Sequence, residues 1–186
     1  MMAVAGMTWR SRFRRSASDQ AADDALSGIV ATALPRIYGY ILVRVGQDVT
    51  VAEDLTQETM LALTRARQTR PESIGDPTAW LFGTARHKVI DWYRTRGLLI
   101  TELQSADSVI DPVDDIDRVL VRDELMAALD RLAPAQRLVL VLHYADGLST
   151  AEIGREMDRS VHAVESLLAR GRVAMRRNVA EQDGAQ

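Results

Sequence analysis

Apolar residues near the start of the chain recur at the spacing of a helix. Intervals of three or four positions separate the members of one helix face, which are Leu26, Val30, Ala33, Ile37 and Ile41. This repeat predicts a helix from about residue 21 to about residue 46. Pro35 lies inside it and predicts a kink or a break, because proline lacks the backbone N–H that a helix interior needs.

Two more helices are predicted in the first half. Thr50 and Glu53 have the spacing of a capping box, which predicts a helix over roughly 51–67. The stretch that follows, QTRPESIGDP, has the composition of a loop. Asp76 can then cap a third helix, with Pro77 at its first position, that runs to about residue 96.

The second half continues the helical pattern. One helix is predicted from near Asp115 to near Leu132, and Pro134 opens the next. The run LVLVLHY in that second helix is apolar all round, which indicates a central position in the core. Gly147 is expected to end this helix.

The last predicted elements form a helix-turn-helix. Ser149 and Glu152 make a second capping box, and Ser160 can cap a new helix only eleven residues later. One apolar seam is shared by both helices and consists of Ile153, Met157, Val161, Val164 and Leu168. Two short helices joined closely along one seam are typical of this DNA-binding motif.

The predicted fold class is therefore all-α, with two small helical domains joined by a flexible linker. Residues 97–114 show no sustained period, which is why they are interpreted as the linker. The predicted boundaries are a flexible basic tail at 1–18, a first domain at 19–96, the linker at 97–114, a second domain at 115–180 and a tail at 181–186.

Composition excludes several classes of protein. The 186 residues are 47% hydrophobic, which suffices for a core, and none is cysteine. Disulfide scaffolds, thiol nucleophiles and cysteine-ligated metals are thereby excluded, and the three histidines share no helical spacing, so we expect no metal or other cofactor. No apolar run is long enough to span a membrane, and no apolar segment follows Arg14 and Arg15, so we expect a cytoplasmic protein without direct membrane insertion.

Charge is distributed in blocks. Residues 65–96 hold seven basic and three acidic residues, residues 101–130 hold nine acidic and two basic, and residues 155–177 hold six arginines against three acids. Such alternation indicates that some surfaces meet nucleic acid and others meet a different partner.

Three segments are candidate functional surfaces. Opposite the apolar seam, the last helix presents residues suited to the major groove, namely His162, Glu165, Ser166, Ala169 and Arg170, and Arg172, Arg176 and Arg177 suit phosphate. An acidic stripe suited to a basic protein partner consists of Asp54, Gln57, Glu58 and Leu61. Basic residues beside tryptophans suit single-stranded DNA, and here they are Trp80, Arg86, His87, Lys88, Trp92, Arg94 and Arg96. Read singly, each segment is also compatible with a purely structural role: a plain hairpin, a solvated face, or tryptophans in the core.

Together these segments resemble a known family. The order DLTQETMLAL, PTAWLFGTARHKVIDWYR, and LDRLAPAQRLVLVLHYADGLSTAEIGREMDRSVHAVESLLARGR is similar to extracytoplasmic-function (ECF) sigma factors of bacterial RNA polymerase. The resemblance covers about 24–177 and implies sigma regions 2 and 4 without the other regions. It implies a non-enzymatic promoter-specificity subunit whose partners are core polymerase and promoter DNA.

The resemblance also implies roles for individual residues. The segment with Asp54, Gln57, Glu58 and Leu61 matches the part that docks on the beta-prime clamp helices, and region 4 would meet the beta flap. Melting of the minus-ten element is implied for Trp80, Arg86, His87, Lys88, Asp91 and Arg94. Reading of the minus-thirty-five element is implied for Arg159, Ser160, His162, Glu165, Ser166, Ala169, Arg170 and Arg172. The acidic linker would thread toward the polymerase active site.

Two other classes of protein remain as alternatives at this stage. A free-standing helix-turn-helix regulator would have no use for the acidic stripe and the tryptophan-rich basic helix, and a small helical enzyme would need a convergent nucleophile–base or metal set. A dedicated anti-sigma factor is a further expected partner. It would wedge between the two domains and cover apolar edges expected at Leu61, Ile90 and Leu167. Asp158 stands at the usual turn glycine, and aspartate tolerates the left-handed conformation better than most residues.

Overall fold

The computed structural model describes residues 17–70, 74–99 and 122–183. Every regular element within these ranges is a helix, which confirms the all-α prediction for the described part of the chain. In order, the elements are α1 (Ala17–Arg44), α2 (Val49–Thr69), α3 (Pro77–Thr95), α4 (Arg122–Asp130), α5 (Pro134–Tyr144), α6 (Thr150–Met157) and α7 (Val161–Asp183). Residues 1–16 of the tail predicted at 1–18, residues 184–186 of the tail predicted at 181–186, and the predicted linker from residue 100 lie outside the described residues.

Helices α1, α2 and α3 pack on one another and form the first half. Helix α1 runs through Pro35 without a break, so of the two predicted outcomes the break is wrong and the kink stays a prediction. The side chains of Ala33, Ile37 and Ile41 on either side of the proline are buried, and Pro35 itself is exposed. Burial of this face stabilises the helix against the loss of one backbone hydrogen bond.

The start of α2 differs from the predicted capping box. Asp48 is the N-cap, and its carboxylate accepts a hydrogen bond from the Val51 backbone N–H at 3.1 Å. The helix therefore begins at Val49, ahead of Thr50. A left-handed turn at Gly46 and Gln47, with φ of 74° and 58°, brings the chain from α1 into this cap.

Helix α3 begins as predicted. Asp76 caps it by accepting from the Thr78 N–H at 2.8 Å, and Pro77 occupies the first turn. The Tyr93 hydroxyl near its end donates to the Arg44 carbonyl at 2.5 Å and so fastens α3 to the end of α1. Leu99, which falls in the predicted linker, is buried against the core.

Helices α4 to α7 form the second half around α5. Leu138, Val139 and Leu142 have no exposed area, as the all-round apolar run predicts. The buried Arg137 guanidinium donates from Nε to the Leu129 carbonyl at 2.8 Å and from Nη2 to the Asp130 carbonyl at 2.7 Å. It thereby satisfies carbonyls at the end of α4 that have no partner within the helix. The start of α4 was predicted near Asp115, which lies outside the described residues.

The two halves contact each other directly. Helix α3 lies against α6, and the end of α1 lies against α5. No feature of the sequence pattern predicts this contact, since the residues concerned are 60 to 106 positions apart.

Candidate nucleic-acid interface

The acidic stripe lies on the outer face of α2. Asp54, Gln57 and Glu58 are exposed, and Leu61 is 53% exposed. The opposite face of α2 is buried, and its threonine hydroxyls are satisfied locally: Thr56 donates to Ala52 O at 2.6 Å and Thr59 to Leu55 O at 2.7 Å. The helix therefore has one orientation in the bundle, which leaves a leucine surrounded by acceptor groups in solvent.

The basic face of α3 carries three of the predicted residues together. Arg86 and His87 are consecutive and Arg94 follows about two helical turns later, and all three contact Glu156 of the second half. Lys88 is directed elsewhere: its Nζ lies 2.7 Å from Oε2 of Glu58 on α2. The six residues predicted for the minus-ten element therefore do not form a single surface.

The tryptophans of α3 are partly buried. Trp80 is half-buried and packs against the core. Trp92 packs edge-on against Tyr93 with ring centroids 5.0 Å apart, and Arg96 lies 4.9 Å from its ring. Trp92 thus combines a structural role with a cation–π contact, as one of the alternatives above expects.

The helix-turn-helix is formed as predicted. The Ser149–Glu152 capping box is complete, Ser160 accepts from the Ala163 N–H at 3.2 Å, and Asp158 adopts the left-handed conformation with φ of 54°. The turn is tight because the Arg159 N–H donates to the Gly154 carbonyl at 2.8 Å. This geometry fixes the direction in which α7 leaves α6.

The exposed face of α7 differs in detail from the prediction. His162 and Glu165 are exposed, whereas Ser166, Ala169, Arg170 and Arg172 are partly buried. Val161, predicted to lie in the seam, is 43% exposed, and Leu167 is buried in its place. Arg170 lines a groove together with Val173 and Arg177 of α7 and with Arg131, which follows the end of α4.

Apolar edges expected for an anti-sigma factor are only partly present. Leu61 is exposed as predicted, but Ile90 and Leu167 are buried, with 2% and 4% of their surface exposed. Ile90 lies at the contact between α3 and α6, where it lines a pocket with Arg86 and Glu156, and Leu167 belongs to the hydrophobic core. The prediction that Ile90 and Leu167 form exposed apolar edges is therefore wrong.

Two acids that the sequence patterns did not single out lie at the centre of the contact between the halves. Asp146 accepts a hydrogen bond from the Tyr40 hydroxyl at 2.8 Å and forms an ion pair with Arg44. Glu156 lies 3.3 Å from Nη2 of Arg86 and 3.2 Å from Nε2 of His87. Only the tertiary structure reveals these pairs, because their members are far apart in the chain.

The surroundings of Tyr40 and Glu152 shift the pKa values of both side chains. Burial raises the pKa of Tyr40 well above its usual value, with Arg44 opposing and Asp146 adding to the shift, so the hydroxyl remains a donor at neutral pH. Hydrogen bonds from the Ser149 side chain and backbone lower the pKa of Glu152. Both groups thus hold the protonation state that their hydrogen bonds require.

The described residues contain neither a metal-binding cluster nor a membrane-spanning helix. Among the described residues, no group of three or more histidine and carboxylate side chains is placed to hold a metal ion. None of the helices in residues 17–70, 74–99 and 122–183 is long and apolar enough to cross a membrane.

Comparison with known proteins identifies both halves. Residues 29–98 match the family described as Sigma-70 region 2, and residues 122–175 match the one described as Sigma-70, region 4. In structure, the chain is similar to the sigma factor RpoE in its co-crystal with the anti-sigma factor NepR from Bartonella quintana, with a TM-score of 0.52 and 19% identity over 83% of this chain and 96% of that one. At this identity the likeness concerns the fold.

Curated relatives agree with the family matches. The ECF RNA polymerase sigma factor BldN of Streptomyces coelicolor is 35% identical over 136 residues, which cover 70% of this chain and 51% of BldN, so the chain spans about half the length of that relative. SigF of Caulobacter vibrioides is 34% identical over 149 residues, covering 80% of this chain and 82% of SigF. Region 2 matches the first half of the chain and region 4 the second half, and SigF is matched over most of its length. The chain therefore belongs to the ECF sigma factors of the sigma-70 family.

Proposed function

We propose that this chain is a promoter-specificity subunit that recruits core RNA polymerase to particular promoters. It binds the core enzyme, recognises two promoter elements and opens the duplex with binding energy alone, without catalysing a reaction. The observation that carries the proposal is the coexistence of an exposed acidic stripe on α2, a basic face on α3 and a helix-turn-helix, within a chain that matches sigma regions 2 and 4. A free-standing regulator would need only the last of these.

The α2 stripe is the proposed docking site for the beta-prime clamp helices. Leu61 supplies an apolar contact, and Asp54, Gln57 and Glu58 supply acceptors around it. A patch of this kind favours a partner that carries basic residues around an apolar depression, and it repels DNA phosphates. The beta flap is the proposed partner of the second half.

The basic face of α3 is the proposed site of minus-ten melting. Arg86 and Arg94 supply positive charge beside the exposed His87, Asp91 pairs with Arg94, and the side chain of Trp80 is partly exposed. Unstacking a base costs a few kcal/mol, which these contacts would offset. Lys88 is given a different role: its ion pair with Glu58 orients α2 relative to α3.

Helix α7 is the proposed reader of the minus-thirty-five element. His162 and Glu165 are available to base edges, and the partly buried Ser166, Ala169 and Arg170 line the side of the same helix. Phosphate contacts are proposed for Arg159 and Ser160, which directly precede α7, and for Arg172 in its middle.

The proposed location of the chain is the cytoplasm, where polymerase works.

An anti-sigma factor remains a proposed partner. Support comes from RpoE, which is bound to the anti-sigma factor NepR in its co-crystal structure. On the present chain, Leu61 and the acidic residues around it form the surface that such a partner would share with polymerase. Recovery of the chain from unstressed native cells with polymerase subunits alone would contradict this part of the proposal.

Charge reversal on α2 tests the central proposal. Asp54→Arg is expected to abolish co-purification with core polymerase and transcription from promoter fragments, because it places a cation in the acidic stripe. Asp123→Arg is the matched control, since Asp123 is also an exposed acid but lies on α4, outside the stripe. Circular dichroism verifies that both variants are folded. Recovery of Asp54→Arg with core enzyme at wild-type yield would overturn the proposal.

A further inference from the structure

Three arginines of the second half line one groove. They are Arg131, which follows the end of α4, and Arg170 and Arg177 on α7, and the groove has a volume of about 450 Å³. Its other lining residues within the described part of the chain are uncharged and include Val173 and Ala174. We call this surface the arginine groove. Because it joins positive charge to apolar side chains, it suits a ligand that is both acidic and apolar.

Glu181 compensates two charges of the arginine groove only weakly. It lies 4.0 Å from Nη1 of Arg131 and 3.8 Å from Nε of Arg177, at the outer limit of ion pairing, and all three side chains are more than half exposed. Water therefore screens most of the attraction within these pairs. Val173, which lies between two of the arginines on α7, is 39% exposed although it is apolar. The groove thus retains both kinds of surface for a ligand.

The chain itself contains a segment with the matching chemistry. Residues 107–117, DSVIDPVDDID, hold five aspartates, four aliphatic residues and no basic residue. The segment lies outside the described residues. Since aspartates and aliphatic residues are interleaved in it, any short stretch presents carboxylates and apolar side chains together. Its charge is therefore opposite to that of the arginine groove, and its apolar content is similar.

The chain that leads into this segment starts close to the arginine groove. The carbonyl of Leu99 accepts a hydrogen bond from Arg159 Nη2 at 3.4 Å. Arg159 directly precedes the cap of α7, and Arg170 lies about 14 Å along the axis from the first residue of that helix. The eight positions from residue 99 to residue 107 span at most about 29 Å when extended. The segment can therefore reach the groove from this side.

The chain that leaves the segment also ends close to the arginine groove. Arg122 opens α4, and the nine residues of this helix span about 14 Å to the end that Arg131 follows. The five positions from residue 117 to residue 122 span up to about 18 Å when extended. Because both ends permit it, the segment can lie in the groove without a change in the described helices.

We propose that in the free chain residues 107–117 dock in the arginine groove, where their aspartates pair with the three arginines and their aliphatic side chains cover Val173. A tether of this length keeps the segment at an effective concentration on the order of millimolar, so that even weak docking is populated. Duplex DNA is the other polyanion to consider. The observations favour the segment, because phosphates bring no aliphatic group to an apolar side chain.

The effective concentration of two introduced thiols measures docking directly. The chain has no cysteine, so Val113→Cys and Val173→Cys place one thiol in the segment and one in the groove. Their disulfide equilibrium in a glutathione buffer reports how often the two sites meet. Val113→Cys with Val161→Cys is the matched control, because Val161 is also an exposed valine of α7. The groove pair is expected to show an effective concentration at least about tenfold above that of the control pair.

Removal of the groove charges tests the cause of docking. Arg131→Gln with Arg177→Gln is expected to lower the effective concentration of the groove pair at least about threefold, because two charge-assisted contacts are lost. Arg65→Gln with Arg155→Gln is the matched control, since both arginines are exposed and lie on other helices. If the groove variant is unfolded by circular dichroism, sodium chloride at about 0.5 M decides, because it screens the same contacts without a substitution.

Two results would overturn the proposal. One is an equal effective concentration for the groove pair and the control pair. The other is a groove-pair value that neither neutralisation of the arginines nor salt lowers. Equal effective concentrations together with weaker binding of a duplex 20-mer by the groove variant would assign the groove to DNA instead.

Docking has one consequence that rests on the proposed function. Arg170 lines the arginine groove and is also proposed to read the minus-thirty-five element, so the segment and duplex DNA compete for it. Asp114→Asn with Asp115→Asn is expected to bind a duplex 20-mer at least about twofold more tightly than Glu53→Gln with Asp123→Asn, which removes the same charge elsewhere. Equal affinities would contradict this competition. The thiol measurement uses neither DNA nor polymerase, so its failure refutes docking alone and leaves the proposed function untouched.

Discussion

Substitution of Gly154 by alanine tests the geometry of the helix-turn-helix. Gly154 lies inside α6, and a Cβ built there would be 2.8 Å from the Arg159 carbonyl oxygen, where ordinary contact begins at 3.4 Å. The backbone of the turn would have to move by about 0.6 Å. It resists such movement because the Arg159 N–H is bonded to the Gly154 carbonyl and Asp158 holds a left-handed conformation.

The expected magnitude is the difference between two effects. Alanine in place of glycine inside a helix gains up to about 1 kcal/mol, whereas overpacking against a fixed neighbour costs about 1–3 kcal/mol. The net expectation is a loss of about 1 kcal/mol in the free energy of unfolding. For a chain of 186 residues that unfolds together, this lowers Tm by about 2–4 °C.

Gly39→Ala is the matched control for this prediction. Gly39 lies inside α1, and no atom is within 4 Å of a Cβ built on it. The same chemical change is therefore expected to raise stability by about 0.5–1 kcal/mol. Thermal unfolding followed by circular dichroism measures both variants. A shift of Tm in the same direction for both would refute the close approach of Gly154 to the turn.

Two further predictions concern function and pH. His87→Ala and Trp80→Ala are expected to slow promoter melting in permanganate footprinting more than they weaken initial binding, the first without loss of stability because His87 is 63% exposed. An unchanged melting rate would count against both residues. The lowered pKa of Glu152 means that its contribution to stability is present above its unfolded pKa and lost as pH falls below it. Glu152→Gln keeps the capping box and is expected to flatten this acid dependence, and an unchanged acid profile would contradict it.

Local signals in the sequence predicted most helix boundaries correctly. The capping residues contact backbone groups within three or four residues, so their effect can be predicted without the tertiary structure; they are Asp76 with Pro77, Ser149 with Glu152, and Ser160. The error at α2 has the same local origin. Asp48 and Thr50 are both good N-caps, and the left-handed turn at Gly46 and Gln47 delivers the chain to the earlier one.

Helical periodicity identified faces but not every member of them. Val161 and Leu167 both lie near the edge of the predicted seam, and the packing of α7 buries Leu167 and leaves Val161 in solvent. Ile90 was expected at an edge and is enclosed. An edge position is buried or exposed according to the neighbouring helix, which a single helix period does not describe.

The sequence alone determined the helical class, the position of the helix-turn-helix and the exposure of the α2 stripe, because these depend on short-range spacing and on caps. Only the tertiary structure decided where the charges pair. Lys88 binds Glu58, Arg44 binds Asp146 and Arg86 binds Glu156, across separations of 30, 102 and 70 residues. Ion pairs form between any opposite charges that packing brings within about 4 Å, and a chain with 23 basic and 26 acidic residues offers many combinations. The packing of the two halves selects among them.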